Sequence, residues 1–256
     1  MEKVTLKKKD QVAIITLNRP EKRNALSLDV RKELYSILKE IDSEEIIRAA
    51  IITGAGEAFA AGADIQAMKD YTVDDAIESS MQGSRVFAFI EKMGIPIIAA
   101  INGWALGGGL ELALACDIRI CNDTAKFGQP EVKIGILPGY GANIRLPRII
   151  GIARAKEMIY FGTIISSSDA EKIGLVTQIT SQDNLMETAL DLAQQLAHGP
   201  ASISLAKKAI HASFDLDMNS ALELSPILYG DAYKTNDARE GISAYLEKRK
   251  PTFKGN

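Results

Sequence analysis

The run Ile97-Ile98-Ala99-Ala100-Ile101 limits the possible folds most, because a β-strand made only of apolar residues has to be covered on both faces. Similar apolar patterns predict further strands at residues 12–17, 49–53 and 118–121. Amphipathic helices are predicted between the strands, one capped by Ser27 and one at residues 76–92. Because strands separated by helices need crossover connections and pair mainly in parallel, the sequence predicts an α/β fold.

The C-terminal part of the chain shows helical periodicity with no strand pattern in between. Helices are predicted at residues 184–197, 201–213, 220–234 and 238–248. We therefore predict a core domain at residues 1–195, which carries the functional site, and a helical region at residues 196–256. A region of this size has little hydrophobic core of its own, so we expect it to pack on the core domain, on a neighbouring subunit or on both.

Composition argues against several classes of protein. With 46% hydrophobic and 25% charged residues the chain is typical of a globular protein, and its net charge of −3 gives no support for nucleic-acid binding. The two cysteines, Cys116 and Cys121, do not indicate a disulfide framework, so we expect a reducing, cytoplasmic compartment. The two histidines, His198 and His211, form no ligand cluster with the cysteines, and no metal site is predicted.

One stretch, residues 95–116, is mostly apolar over a length that could span a membrane. It is interrupted by Pro96, by three successive glycines and by Glu111, whose carboxylate would be costly in lipid. A buried strand, a glycine turn and a helix explain these residues better, so we expect no membrane association.

The glycines Gly107-Gly108-Gly109 follow the buried strand and open a helix. Glycine lets the backbone approach a ligand closely, and the first amides of a helix have no intrahelical acceptor. Such amides can hold an oxygen atom that gains negative charge during a reaction, and Ala63, in the small-residue turn 58–65, could supply a second amide. The alternative is that the glycines only permit tight packing between helix and sheet.

Two glutamates are notable for their surroundings. Glu111 lies in the first turn of an otherwise apolar helix, where a carboxylate is more often functional or paired than idle. The alternative for Glu111 is an exposed residue that complements the helix dipole. Glu131 follows Pro130, which fixes the backbone and aims the next side chain. Glu131 becomes a candidate functional residue if its side chain lies close to that of Glu111. The two residues flank the strand predicted at residues 118–121.

Several segments, taken together, carry a family resemblance. They are Asn18-Arg19-Pro20, Asn24-Ala25-Leu26, residues 58–65, residues 102–111, Cys116-Asp117, Gln129-Pro130-Glu131, Leu146-Pro147-Arg148, and the ending from Glu240-Gly241 to Lys250-Pro251. In this order they resemble the enoyl-CoA hydratase (crotonase) superfamily over essentially the whole chain. The resemblance implies the family fold, a crotonase-type spiral of ββα repeats with a C-terminal helical trimerisation region. It also implies a homotrimer, or a homohexamer built as a dimer of trimers.

The resemblance further implies a hydro-lyase, which adds water reversibly and in syn fashion to a 2-enoyl-CoA thioester and gives a 3-hydroxyacyl-CoA. Glu111 and Glu131 match the two catalytic glutamates of the hydratases, and the amides of Ala63 and Gly108 match the oxyanion hole. We expect Glu131 to give its proton to Cα, and Glu111, favoured as an ion by the helix N-terminus, to activate the water. No cofactor is expected, since CoA is part of the acyl-CoA substrate.

The positions that match substrate- or CoA-binding residues of the family lie mainly in the two small-residue turns. They are Ala25, Leu26, Ala61, Ala63, Asp64, Ile65, Gln66, Trp104, Gly107, Gly108, Pro130 and Gly139. Trp104 stands where tyrosine or phenylalanine is common, so we expect it to narrow the pocket. Gln66 replaces a frequent lysine and removes one contact to phosphate.

The segment 138–144 departs from the family pattern. Many hydratases have Gly-Gly-Thr-Gln after the Pro-Gly-x turn, whereas this chain has Gly141-Ala142-Asn143-Ile144 after Tyr140. Tyr140 and Asn143 either add a hydroxyl and an amide to the acyl pocket or only pack. The preference for acyl chain length therefore stays open.

Other functions fit parts of the same pattern. An enoyl-CoA isomerase or a thioester hydrolase of the family would use the same oxyanion hole, but an isomerase needs only one proton-transfer group, so two glutamates favour water addition. An RNA-binding relative is supported only by the lysines at 7–9 and the basic run at 248–250. Short charge runs of this kind are usually solvated surface.

Overall fold

The structure, a computed structural model, describes residues 2–256, and Met1 lies outside this range. Its strands in chain order are β1 (Val4–Lys9), β2 (Val12–Leu17), β3 (Ala49–Gly54), β4 (Ala58–Ala60), β5 (Ile97–Ile101), β6 (Trp104–Leu106), β7 (Ile118–Asn122), β8 (Lys126–Gly128), β9 (Ile164–Ser166) and β10 (Gln178–Thr180). Its α-helices are α1 (Leu28–Asp42), α2 (Val73–Lys92), α3 (Gly108–Ala115), α4 (Ala142–Ile150), α5 (Ile152–Phe161), α6 (Ser167–Lys172), α7 (Leu185–Ala197), α8 (Ser202–Asp215), α9 (Met218–Tyr233) and α10 (Asn236–Glu247). Short 3₁₀ helices occupy Pro20–Lys22, Ile65–Met68 and Pro130–Ile134.

Three consecutive units of the chain each add one strand to each of two sheets. The units are β3–β4–α2, β5–β6–α3 and β7–β8–α4. Their first strands pair in parallel in a sheet of order β1-β2-β3-β5-β7-β10, and their second strands pair in parallel in a sheet of order β4-β6-β8-β9. The edge pairs β1–β2 and β8–β9 are antiparallel. The predicted spiral of ββα repeats is thereby confirmed.

The apolar run Ile97–Ile101 forms β5, in the interior of the larger sheet. Its side chains alternate between two faces. Ile97 and Ala99 join the main core, which includes α1 and α2, whereas Ile98 and Ala100 pack with α7. Both faces are therefore covered, as the composition of this strand predicts.

Local signals set the ends of the helices that carry the site. Ser27 caps α1, because its hydroxyl accepts a hydrogen bond from the amide of Val30, as predicted. Gly107 stays outside the next helix, so α3 begins at Gly108 and all of its residues are buried. The apolar stretch 95–116 thus supplies β5, β6 and α3. No helix within residues 2–256 is long and apolar enough to cross a membrane.

The C-terminal helices differ in how they contact the rest of the chain. α7 packs on the larger sheet through residues such as Leu185 and Ala193, so it belongs to the core. The predicted boundary at residue 196 lies in the last turn of this helix. Large apolar side chains on α8, α9 and α10 remain exposed, among them Ile210, Leu222 and Tyr245. These helices therefore present an apolar surface that their own chain does not cover.

Candidate active site

A cavity of about 670 Å³ lies between two turns made of small residues, at 61–63 and 107–108. Its wall is formed by parts of α2 and α3 and by the segments 61–63, 130–134 and 136–140. Most of the lining side chains are apolar, and two carboxyl groups, those of Glu111 and Glu131, lie among them. An apolar cavity with few convergent polar groups is typical of a small-molecule site.

The two turns present amides to this cavity. Gly107 adopts φ 50° and ψ −126°, a conformation that favours glycine, and leaves the amide of Gly108 at the open N-terminus of α3. In the facing turn Gly62 has φ 107° and lies close to the carbonyl oxygen of Leu106, while its neighbour Ala63 lines the cavity. The amides of Gly108 and Ala63 donate to no backbone acceptor within residues 2–256. Both are therefore available to a ligand oxygen.

Glu111 is held by the turn that follows Gly139. Its Oε1 accepts hydrogen bonds from the amides of Tyr140 at 2.7 Å and Ala142 at 2.9 Å. The residue is 1% exposed, which excludes the role of an exposed first-turn glutamate. Burial raises the pKa of Glu111, and the two amide hydrogen bonds and the charge of Arg145 offset part of the rise. Both hydrogen bonds engage Oε1, so Oε2 can accept from another donor.

Glu131 rests against the triglycine turn, where a β-carbon on Gly107 would lie 2.8 Å from its Oε1. Gln129, fully buried, lies beside the same carboxyl group, and its amide nitrogen is 3.0 and 3.1 Å from the two oxygens when it is turned toward them. The opposite orientation of that amide places its oxygen there and suits a protonated carboxyl group. Burial raises the pKa of Glu131 to about 7, and the charge of Glu111 adds to the rise.

The two carboxyl groups form an electrostatically coupled pair, since the charge on Glu111 raises the pKa of Glu131. Glu111 receives two amide hydrogen bonds that favour its ion, whereas Glu131, with a pKa raised to about 7, is partly protonated near neutral pH. Burial raises the pKa of both carboxyl groups, so the two titrate as one pair, and the amide hydrogen bonds to Glu111 favour placing the negative charge there and a shared proton on Glu131. This distribution supports the roles predicted for the two glutamates.

The model of the enoyl-CoA hydratase/isomerase family matches residues 7–256. The chain belongs to this family. It is 40% identical to a short-chain-enoyl-CoA hydratase of Clostridium acetobutylicum, over 98% of this chain and 97% of that protein. It is 39% identical to a crotonyl-CoA hydratase of Syntrophomonas wolfei, with 98% of each chain covered. The crystal structure of an enoyl-CoA hydratase from Bacillus anthracis has a TM-score of 0.95 to this chain at 38% identity, covering 100% of both.

The enoyl-CoA hydratase/isomerase fold brings most of the predicted site residues to the cavity. Those that line it are Ala61, Ala63, Ile65, Gly107, Gly108, Glu111, Pro130, Glu131 and Gly139, and those that lie outside its lining are Ala25, Leu26, Asp64, Gln66 and Trp104. Leu26 packs beside Gly108, and Asp64 pairs with Arg19 at 3.5 Å. Trp104 does not narrow this cavity, contrary to expectation, because it begins β6 and stays partly exposed on the smaller sheet. Contacts of these outlying residues with CoA stay predictions.

The segment that departs from the family pattern contributes one residue to the lining. Tyr140 lines the cavity, whereas the side-chain amide of Asn143 donates to the carbonyl oxygen of Pro138 at 2.8 Å and fixes the loop. Sequence reasoning missed Arg31, which is buried and donates to the phenol oxygen of Tyr140. The signal that reveals Arg31 is its place three residues before Leu34, in the buried stripe of α1.

Proposed function

We propose that this chain is an enoyl-CoA hydratase that adds water, reversibly and in syn fashion, across the 2,3-double bond of a 2-enoyl-CoA thioester. One observation carries the proposal: two carboxyl groups, of Glu111 and Glu131, line the same cavity as Ala63 and Gly108, whose amides have no backbone acceptor within residues 2–256. The relatives named as hydratases of short-chain enoyl-CoA and of crotonyl-CoA support it, since they match nearly the full chain.

The amides of Ala63 and Gly108 are proposed to bind the thioester oxygen. A 2-enoyl thioester accepts a nucleophile at Cβ only to the extent that its carbonyl oxygen can take up negative charge. Two amides aimed at this oxygen stabilise the enolate-like transition state, and the positive end of α3 adds to their effect. Loss of one such donor raises the barrier in other enzymes by about 3–4 kcal/mol.

The two glutamates are proposed to move the protons. Glu111, ionised and fixed by the amides of Tyr140 and Ala142, takes a proton from water as the water oxygen bonds to Cβ. Glu131, with its pKa raised to about 7, gives its proton to Cα. The pair holds one proton before and after the reaction. The proposal includes no metal or further cofactor, because the carboxyl groups and amides supply proton transfer and charge stabilisation.

Hydration of crotonyl-CoA by the wild type and by Glu111→Gln and Glu131→Gln tests this proposal. Each substitution keeps the shape of the side chain and removes its acid–base function, so kcat should fall by at least about 10². Glu21→Gln, at an exposed position, is the matched control. Near wild-type turnover in either folded variant contradicts the assigned roles, and a wild type that hydrates no 2-enoyl-CoA thioester contradicts the proposed function.

An enoyl-CoA isomerase or a thioester hydrolase is the second candidate, since the family that matches the chain contains isomerases as well as hydratases. Both would use the same amides. An isomerase needs one proton-transfer group, whereas the cavity holds Glu111 and Glu131. Product analysis after incubation with 2-enoyl- and 3-enoyl-CoA separates the reactions: a 3-hydroxyacyl-CoA marks a hydratase, a shifted double bond an isomerase, and free CoA a hydrolase.

We also propose that the chain assembles as a homotrimer, or as a homohexamer of two trimers. The support is the exposed apolar surface of α8, α9 and α10, which a neighbouring subunit can bury. Sedimentation velocity should give three or six times 27.7 kDa, and a monomer contradicts the proposal. A cytoplasmic location is proposed as well, because Cys116 and Cys121 are free thiols.

A further inference from the structure

Arg31 is a buried cation without an acidic partner. It lies on the core-facing side of α1 and is 3% exposed. It takes part in none of the ion pairs formed within residues 2–256. Its guanidinium donates only to neutral groups of Ser79 and Tyr140, and its Nε has no hydrogen-bond partner among the described residues. Such a charge is costly to bury unless an anion joins it.

The neutral partners place the guanidinium directly behind the wall of the cavity. Nη1 of Arg31 donates to the carbonyl oxygen of Ser79 at 3.1 Å and to the phenol oxygen of Tyr140. Nη1 and Nη2 both lie 3.2 Å from the hydroxyl oxygen of Ser79. Ser79 and Tyr140 line the cavity, and Arg31 does not. The positive charge is therefore one side chain away from a ligand.

The hydrogen bonds from Arg31 decide what the two hydroxyl groups can offer. Arginine can only donate, so the oxygens of Ser79 and Tyr140 act as acceptors toward it, and each hydroxyl keeps its own hydrogen. If one of them donates to the other, one hydrogen still remains. The cavity thus receives a polarised O–H donor with a positive charge behind it. A negatively charged acceptor matches this arrangement best.

Tyr140 links the hydroxyl groups in front of Arg31 to Glu111 and Gly108, the residues proposed to act on the thioester. Its amide donates to Glu111, and its ring atoms lie 3.1 Å from the place of a β-carbon on Gly108. A thioester oxygen on the amide of Gly108 lets the acyl chain run along the ring toward the phenol oxygen. The group that meets the hydroxyls in front of Arg31 is then the end of the acyl chain.

We infer that Arg31, acting through the hydroxyls of Ser79 and Tyr140, selects 2-enoyl-CoA thioesters whose short acyl chain ends in a carboxylate. The inference rests on the proposed hydratase function and narrows its substrate class. Arg31 is a positioning residue in this scheme, because it reaches the ligand through two other side chains. The remaining lining is mostly apolar, with residues such as Ile77 and Leu137. It also contains one ammonium group, that of Lys133 on the 3₁₀ helix Pro130–Ile134, whose side chain packs beside Gly162. The hydroxyl pair in front of Arg31 is the place along Tyr140 that suits a carboxylate.

The test compares substrates that differ at the end of the acyl chain. Glutaconyl-CoA ends in a carboxylate, 5-methyl-2-hexenoyl-CoA has methyl groups in place of the carboxylate oxygens, and crotonyl-CoA lacks the end group. For the wild type we expect kcat/KM for glutaconyl-CoA to exceed that for the methyl isostere by about tenfold or more, the effect of one hydrogen bond to a charged group.

Two variants test whether the preference for glutaconyl-CoA over its isostere depends on Tyr140 and Arg31. Tyr140→Phe removes only the phenol oxygen, and Arg31→Met removes the guanidinium charge while keeping an unbranched side chain. In both, the ratio of kcat/KM for glutaconyl-CoA to that for the isostere should fall by about tenfold. Tyr35→Phe, which removes a phenol oxygen on α1 outside the cavity lining, is the matched control and should keep the wild-type ratio. Tyr140→Phe decides the question if Arg31→Met does not fold.

The outcomes separate the inference from the function on which it rests. A wild type that hydrates crotonyl-CoA but does not prefer glutaconyl-CoA to its isostere overturns the inference and leaves the proposed function intact. A wild-type ratio in Tyr140→Phe overturns it as well. If the wild type hydrates none of the three thioesters, the proposed function itself is overturned.

Discussion

A β-carbon on Gly107 would lie 2.8 Å from Oε1 of Glu131 and 3.3 Å from its carboxyl carbon. The absence of a side chain on Gly107 is therefore what lets the carboxyl group rest against the turn that offers the amide of Gly108. Gly107 also has φ 50°, which a larger residue adopts only with strain. Glycine meets two requirements at this position, one conformational and one steric.

Gly107→Ala should lower kcat for crotonyl-CoA by at least about 10², because a displacement of about 1 Å in a reacting group has an effect of this size. Gly174→Ala is the control, since Gly174 has φ 74° and no atom of residues 2–256 lies within 4 Å of the added carbon. The control carries the backbone strain alone, about 1–3 kcal/mol of stability. Steady-state kinetics and thermal unfolding of both variants separate the two effects. Equal losses of activity in the two variants would show that Glu131 adapts to the added carbon.

The pH dependence follows from a pair that works with one proton. Hydration needs Glu131 protonated and Glu111 ionised, and dehydration starts with the same single proton on Glu111. Since burial raises the pKa of Glu131 to about 7, kcat/KM should fall about tenfold per pH unit above that value, as the pair loses its proton. Burial also raises the pKa of Glu111 from 4.5, so the acid limb should lie above pH 4.5.

Both directions of the reaction should give this profile, because hydration releases no net proton. Hydration of crotonyl-CoA and dehydration of 3-hydroxybutyryl-CoA, followed from about pH 5 to about pH 9, are the measurements that check it. A kcat/KM that stays level across the alkaline range contradicts the assignment of the proton to Glu131.

The raised pKa of Glu131 also predicts a dependence of stability on pH. The carboxyl group ionises near pH 4.5 in the unfolded chain and near 7 in the folded one. Stability is unaffected below the first value, falls as pH rises between the two, and above the second has dropped by at most about 3 kcal/mol. Glu131→Gln cannot ionise, so at about pH 8 it should unfold at a higher denaturant concentration than the wild type.

At about pH 4 the same variant and the wild type should unfold together, since both side chains are then neutral. Glu21→Gln, at an exposed position, gives the effect of the substitution itself. A Glu131→Gln variant that is no more stable than the wild type at about pH 8 would mean that the folded protein tolerates the ionised carboxyl group without cost.

A strand or helix could be predicted where the residues within one short segment are enough to determine its structure. Ile97–Ile101 has no polar residue, which predicts the buried strand β5. Gly107 separates the strands before it from the helix after it, so the start of α3 could be predicted as well. The strands of the smaller sheet are three residues long, as in Ala58–Ala60 and Lys126–Gly128, which is too short for a period of two to show. Their pairing depends on residues far apart in the chain.

The candidate site shows the same division. The burial of Glu111 could be predicted from the apolar residues around it in the chain, and it is confirmed. Arg31 was missed because a search for apolar residues at helical spacing does not pick out a charged residue. Its environment is formed by Ser79 and Tyr140, which are 48 and 109 residues away along the chain. Tertiary contacts of this range leave no local signal.

Lys207, on α8, is buried, and its charged side chain bonds α8 to the core. Its ammonium donates to the carbonyl oxygens of Ile90 at 3.0 Å and Ile95 at 2.9 Å, and to the carboxylate of Asp117 at 2.9 Å. Burial would raise the pKa of Asp117, but hydrogen bonds from His211 and Lys207 outweigh it, and the pKa is lowered. The stability that this carboxylate contributes is therefore present above pH 3.8, its usual pKa, and is lost as pH falls through the lowered value.

Lys207→Met should cost about 3–5 kcal/mol in the free energy of unfolding, because it removes the ammonium partner of the largely buried Asp117 carboxylate and leaves that charge with only His211 and the amide of Ile97. Adding Asp117→Asn should recover part of the loss, since the neutral amide tolerates burial better than the ion. Lys172→Met breaks an exposed pair with Asp169 and should cost much less than Lys207→Met, because solvent screens that pair. Urea unfolding of the three variants checks the order. If Lys207→Met costs no more than Lys172→Met, packing rather than the buried ion pair holds α8 in place.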